Sequence, residues 1–415
     1  MTAIDVLRPA ATGYGAKFGG FVFGHLAPIF GFLRLFWPVP HAGSTWMLTR
    51  YDDVRAGFLD DRAFMVPYKE KLDVIMGGVP FFLGMSDTTE YWRDVNAMRA
   101  IVRPADIRDR LIPAMNKRAE DVVAAGNGEI EVVDTLIRQL TFDVLNEYFG
   151  VAAPPGVDLR VWATRLFEFQ FADQSNDPVL RKEVDQYAPR LQNLIDQLIA
   201  DRRTSGVDID DVLGRALAAQ AGSADAEAAG YSDKQIRSAL IGFVAGGLPQ
   251  PPMIAPQALE QLLRRPDALA GAQDAARRND DVALAGYVFE ALRFDPLAPA
   301  MPRVTTQDVT VAYGTSRAVT IPRGATVYLS FLSAMRDPRR VADPETFNPR
   351  RPPSDYIHFG MGLHQCFGIH INMALVPLML KPLLRRAGLR RKPGPDGHLV
   401  KRGPFADRLV VNYTP

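Results

Sequence analysis

The chain has 415 residues, 47% of them hydrophobic, with 48 Lys and Arg against 47 Asp and Glu and a net charge of +1. Such a balance provides no basic field for nucleic acid and no charged tail, while the apolar content is enough for a large core. One cysteine excludes an internal disulfide and suits a reducing, cytoplasmic compartment. Length alone allows two or three domains, but no linker or repeat divides the sequence, and a single domain over residues 1–415 is expected.

The N-terminus lacks the charged, apolar, small-residue order of a secretory signal. Residues 18–37 are apolar and rich in phenylalanine, yet His25, Pro28 and Arg34 interrupt them. A spanning helix wants about 20 apolar residues with few breaks, so residues 1–40 read as a packed N-terminal segment whose 18–37 stretch touches a membrane surface or a lipophilic substrate route. Thr45 to Thr49, followed by Tyr51-Asp52-Asp53-Val54, predicts a short strand turning into a helix with an acid near its start. Residues 66–86 surround a short amphipathic piece, and Ser86 to Glu90 read as the cap of a helix reaching Ile101. From Ile107 to Gly150 apolar residues recur at three and four, predicting two amphipathic helices split at Gly126-Asn127-Gly128. Helical character continues over 160–174 and 178–203, and 207–230 reads as an exposed loop and helix. Phe81, Phe82 and Leu83, with the phenylalanines of 18–37 and 164–171, mark an apolar pocket or plain core.

Ile236 to Gly247 is a small-residue apolar helix of the kind that lies against a flat cofactor. Leu248-Pro249-Gln250-Pro251-Pro252 follows it. Each proline inside a helix costs about 3 kcal/mol or more, so the helix should break there and restart with proline in its first turn. Gln250 donates and accepts hydrogen bonds but does not titrate; it orients a peroxide, a polar substrate group or a water, or it points away. Glu290 and Arg293 share one helix face at i, i+3, as an ordinary surface pair or a buried one. Prolines 296, 299 and 302 keep the backbone extended up to Arg303. Val309–Val311 and Val319–Ile321 alternate as a hairpin, with a further strand at Thr326–Leu329.

Phe359-Gly360-Met361-Gly362-Leu363-His364-Gln365-Cys366-Phe367-Gly368 surrounds the one sulfur with three glycines and a histidine, and an apolar run follows from Ile369 to Leu380. Glycine lets the backbone pass close to a bulky flat object. A loop that presents a sulfur at the head of a helix turns backbone N–H groups and the positive dipole end toward it, which stabilises thiolate. A single thiolate cannot hold a tetrahedral zinc or an iron–sulfur cluster, but it serves as one axial ligand to haem iron. On the sulfur alone, the commoner reading is a small buried hydrophobe.

The pattern F-G-x-G-x-H-x-C-x-G resembles, at every specified position, the haem-binding signature of the cytochrome P450 family. The resemblance is firm over 235–415, apart from the proline-rich stretch, and loose before residue 80. It implies a mainly α fold with a small β region, and haem b between a long distal helix holding Ala245 and Gly246 and the cysteine loop. Cys366 would be the thiolate ligand, with Phe359, Gly360 and Gly368 framing it and His364 and Arg303 at the propionates. One of Tyr91, Trp92, Arg93 and Arg99 in the 91–99 helix, Trp92 and Arg99 first among them, would reach a propionate as well. Glu290, Arg293 and Arg350 would form a buried trio behind the haem loop. Leu297, Ala298 and Ala300 would face the substrate, with Phe82 and Leu248 in the same pocket.

Where the family shows A-G-x, an acid and a threonine, this chain has Ala245, Gly246, Gly247, Leu248 and Pro249. Leucine and proline cannot relay the protons that dioxygen activation consumes. The resemblance implies a monooxygenase that hydroxylates or oxidatively tailors a lipophilic small molecule, using dioxygen and electrons from a ferredoxin and its reductase. The missing acid and threonine favour an alternative that needs no redox partner, a peroxygenase or a fatty-acid hydroperoxide isomerase or dehydratase. A non-catalytic haem sensor or carrier is the reading from another class. A monomer without nucleic-acid partners is expected.

Overall fold

The computed structural model describes residues 26–415, so the 18–25 part of the apolar N-terminal stretch lies outside the described residues. Helix α1 (Leu26–Phe36) begins the described chain. It buries Phe30 and Arg34, and the Arg34 guanidinium donates to the Ser333 carbonyl and hydroxyl at 3.0 Å each. Phe32, Leu35, Phe36 and Trp37 remain exposed. No described helix is long and apolar enough to cross a membrane.

Two hydrophobic clusters organise the fold. The smaller is built on a five-stranded sheet of β1 (His41–Ala42), β2 (Thr45–Leu48), β3 (Phe64–Met65), β4 (Met301–Thr305) and β5 (Thr326–Leu329), in the order β1-β2-β5-β4-β3. Strands β2 and β5 run parallel, and the other pairs are antiparallel. Helix α2 (Tyr51–Leu59) follows β2 as the sequence predicts, and its Val54 and Phe58 pack with Leu48, Val327 and Leu329.

The larger cluster is helical. Helix α3 (Thr89–Ile101) starts from Thr88, inside the predicted cap, whose hydroxyl accepts from the Tyr91 N–H at 3.2 Å. Helix α4 (Ile112–Ala125) stops at the predicted Gly126-Asn127-Gly128, but strand Glu129–Glu131 comes next and pairs with Val410–Asn412. Helix α5 (Pro178–Ser205) lies against α6 (Asp233–Ile241). The hairpin at 309–311 and 319–321 forms in register. Helices α7 (Pro251–Leu263), α8 (Asp281–Phe294) and α9 (Ile369–Arg385) pack on one another at the centre, and α9 also lies along α4.

Candidate haem-thiolate site

The distal segment carries the anomaly that the prolines predict. After α6 the backbone widens into a π-turn over Gly242–Gly247 and then restarts as α7, with Pro251 and Pro252 in its first turn. Pro249, Pro251 and Pro252 lack N–H groups, so the carbonyls four residues back lose their helical donors. Close packing also needs Gly242, where a Cβ would sit 2.4 Å from the Phe81 ring. At the break, the Gln250 amide donates from Nε2 to the Gly246 carbonyl at 2.7 Å. Gln250 therefore points along the break and lines the cavity beside Gly246 and Gly247, with one N–H already engaged.

Facing this wall is the cysteine loop. Gly360 and Gly362 have φ of 66° and 72°, a region that L side chains rarely adopt, and a Cβ on Gly362 would meet the Phe58 carbonyl at 2.7 Å. The Cys366 N–H donates to the Phe359 carbonyl at 2.9 Å, which tightens the loop, and α9 begins immediately after Gly368. Between the two walls lies a cavity of about 230 Å³, to which Cys366, His364, Phe359, Gly360, Gly368 and Arg303 all contribute.

The electrostatics of this cavity suit an anionic guest. Arg303 is 4% exposed, and among the described residues its side chain has one hydrogen bond, to the carbonyl of its neighbour Pro302; its guanidinium lies 5.2 Å over the Phe58 ring. Desolvation lowers its pKa, and no carboxylate offsets that effect. His364 presents a buried Nδ1 with no hydrogen-bond partner among the described residues, and burial together with the Arg303 charge holds its pKa at about 4. A buried cation and an orphaned ring nitrogen are costly unless a guest supplies acceptors and charge. A haem bearing two carboxylates fits both.

Burial pushes the Cys366 thiol up to about 11, although the Gly368 backbone N–H works the other way. The sequence predicted net stabilisation of thiolate by the helix end; the apolar surroundings outweigh it. A coordinating metal deprotonates a thiol outright, so a haem iron bound here would supply what burial withholds.

Behind the loop, Glu290 and Arg293 are fully buried rather than on the surface, joined at 2.8 and 2.9 Å. The third member is Arg351, whose Nε lies 3.1 Å from Glu290, and not Arg350, which is exposed. The turn at Asn348-Pro349 directs the next residue but one inward, so the sequence assignment was one residue short. Arg351 also donates to the Asp343 and Thr346 carbonyls at 2.8 and 2.9 Å, binding its own loop.

Other expectations need correction. Trp92 is 44% exposed and donates to Asp87 at 2.7 Å, and Arg99 is exposed; neither lines the cavity. The residue of α3 that meets the loop is Tyr91, whose hydroxyl donates to the Leu363 carbonyl at 2.5 Å. Ala245 and Leu248 are buried in the helical core instead of lining the cavity, because the π-turn presents the glycines to it. Ala300 also lies off the cavity, whereas Phe82, Leu297 and Ala298 line it. Tyr68, His358 and Asn372 line it too, and sequence reasoning missed them.

His358 shows what this environment does to a titrating group. Its Nε2 pairs with the Phe289 carbonyl at 2.9 Å, so that nitrogen carries the proton of a neutral ring. Burial holds its pKa at about 4, with Glu290 raising and Arg293 lowering it. The unfolded ring titrates near 6.5 and binds more protons than the folded one between those values. Stability is therefore complete above about pH 6.5 and falls as the pH drops to 4, by on the order of 2–3 kcal/mol from this group. Denaturant unfolding of the parent and of His358→Phe at pH 7 and 4.5 should show a shallower acid loss in the variant; equal losses would refute it.

The comparisons with known proteins agree with this geometry. The sequence profile of the family described as cytochrome P450 matches residues 283–401. Over 341 residues the chain is 27% identical to the vitamin D(3) 25-hydroxylase of Pseudonocardia autotrophica, covering 79% of this chain and 77% of that one. The chain belongs to the cytochrome P450 family. As such it is a haem-thiolate enzyme of the P450 monooxygenase class, and its cofactor is haem b. The structure of P450BioI with a hexadec-9Z-enoic acid–ligated acyl carrier protein superposes with a TM-score of 0.79 over 95% of this P450 and 100% of that chain, at 19% identity. A bifunctional dioxygenase–epoxy alcohol synthase of Pyricularia oryzae is 39% identical over 121 residues, which is 29% of this P450 and only 10% of that protein.

Proposed function

We propose that this P450 oxidises a lipophilic small molecule in the cavity over Cys366, as a monooxygenase drawing on dioxygen and a ferredoxin-type electron donor. The cavity itself carries the reading. Phe82, Phe149, Phe243, Leu297 and Ala298 line it, so it selects apolar substrates by burial, at roughly 25 cal/mol per Å² of apolar surface. Relatives named as a hydroxylase of vitamin D(3) and an epoxidase of cyclomarin C act on molecules of that kind. Haem, when bound, supplies oxygen activation behind a thiolate. Arg303 and His364 would hold its carboxylates, Cys366 would be its thiolate ligand, and the phenylalanines lining the cavity would exclude water.

A specific observation favours a second reading, in which the oxygen arrives already bound as a hydroperoxide. Leu248 and Pro249 carry no group that holds a proton, and the Gln250 amide spends an N–H on Gly246. An epoxy alcohol is the isomer that an unsaturated hydroperoxide reaches when its O–O bond breaks, which needs neither reductant nor added protons. The match to a dioxygenase–epoxy alcohol synthase supports that chemistry here.

A turnover test with two arms separates the readings. One receives dioxygen, ferredoxin, reductase and reduced nicotinamide; the other receives hydrogen peroxide or a fatty-acid hydroperoxide without reductant. Product in the reduced arm alone establishes the first reading, and product in the peroxide arm alone the second. Gln250→Glu places a titratable carboxyl on the cavity wall. It should raise product formed per reductant consumed several-fold, short of the roughly 10²–10⁴ that an ideally positioned acid or base contributes. No gain in a variant that still binds haem would show that protons are not limiting.

A further inference from the structure

We propose that Asn372 is a positioning residue for the thiolate, its side-chain amide acting as a hydrogen-bond donor to Cys366. The inference rests on Cys366 being the haem ligand. Asn372 lies one turn into α9, and its backbone N–H donates to the Gly368 carbonyl at 2.9 Å. Beside Gly368, the point where a Cβ would lie is 3.3 Å from Asn372 Nδ2 and 3.9 Å from Cys366 Sγ. Amide and sulfur thus both border the space beside Gly368 that a side chain would fill.

Asn372 is 7% exposed, lines the cavity, and has no hydrogen-bond partner for its side chain among the described residues. Its helix neighbours Leu375 and Val376 are buried and apolar. Its amide opens on the cavity without a protein partner, at a place that an apolar residue of the same size would fill without needing one. Thiolate sulfur only accepts hydrogen bonds, so the Nδ2 end of the carboxamide is the matched partner. It adds a side-chain donor to the Gly368 backbone N–H, which already favours the charged form of the thiol. Two donors draw electron density off the sulfur, and hydrogen bonds to a ligand sulfur shift the metal's potential. Asn372 thereby eases reduction of the haem and moderates the electron push of the thiolate.

The test replaces Asn372 by alanine and, to keep the volume without a donor, by leucine. Both variants should retain the thiolate signature of the ferrous–CO complex. At a fixed poised potential, the ferrous-to-ferric ratio should fall about tenfold in both, equivalent to roughly 59 mV for a one-electron couple. The iron–sulfur stretch in resonance Raman spectra should move up in both. An unchanged potential and stretch in haem-loaded Asn372→Ala and Asn372→Leu would overturn the proposal, as would shifts of opposite sign, which packing alone would give. A parent protein without the thiolate signature would instead sink the ligand assignment beneath it.

Discussion

Cys366→Ala is expected to abolish the thiolate signature of the ferrous–CO complex and to lower turnover by at least about a hundredfold whichever oxygen source is supplied. The chain has no second cysteine to take over, and the His364 ring beside it is held neutral at the haem edge. Haem retained by Arg303 and the aromatic walls would then have water or a weak neutral ligand behind the iron, without the electron donation that favours O–O cleavage. Optical spectra of the ferrous–CO complex, recorded with haem content measured separately, check the result. An unaltered signature in Cys366→Ala would end the haem-thiolate assignment for this residue.

Glu290→Ala should destabilise the protein by on the order of 3–5 kcal/mol, because it removes the carboxylate that joins two buried guanidiniums and leaves Arg293 with backbone carbonyls alone, although Arg351 keeps Asp355 at 3.7 Å. Arg293 and Arg351 both contact it, the Asn348 N–H donates to it at 2.8 Å, and the Tyr356 hydroxyl does so at 3.1 Å. Four partners from three segments meet at that side chain, which is wholly buried. A loss of this size takes a large share of the roughly 5–15 kcal/mol that holds a domain folded. The 343–351 loop and the cysteine loop behind it should open together, so haem uptake falls with the unfolding midpoint. Urea titration of the haem-free protein checks the energy, and a cost below about 1 kcal/mol would show the network to be dispensable.

The haem pocket was legible in the sequence where one residue type has one physical job. Glycines that must take positive φ, a lone cysteine, and prolines that cannot donate foretold the loop, the sulfur on the cavity wall and the broken distal helix. Legibility failed where side-chain direction decides. The π-turn rotates Ala245 and Leu248 into the core and leaves the glycines on the cavity wall, and no periodicity announces such a turn. Arg350 and Arg351 are adjacent arginines, and only the turn at Pro349 tells which one faces Glu290. On α3, Tyr91, Trp92, Arg93 and Arg99 are all apt by chemistry, with Trp92 and Arg99 first, and the face that meets the loop carries Tyr91. Reading Ile369 to Leu380 as apolar passed over Asn372, a polar residue in a helix that is otherwise buried. Strand Glu129–Glu131 was missed because its partner, Val410–Asn412, lies at the far end of the chain.

A solitary sulfhydryl at the floor of the cavity also makes this enzyme its own occupancy gauge. An alkylating reagent can find one thiol per chain, and it finds it only in molecules whose iron has not claimed it. Because the free thiol titrates near 11, labelling at neutral pH will be slow and should quicken as the buffer is made alkaline. Mass spectrometry of a brief alkaline pulse would then count haem-free chains directly, molecule by molecule, with no reliance on an extinction coefficient.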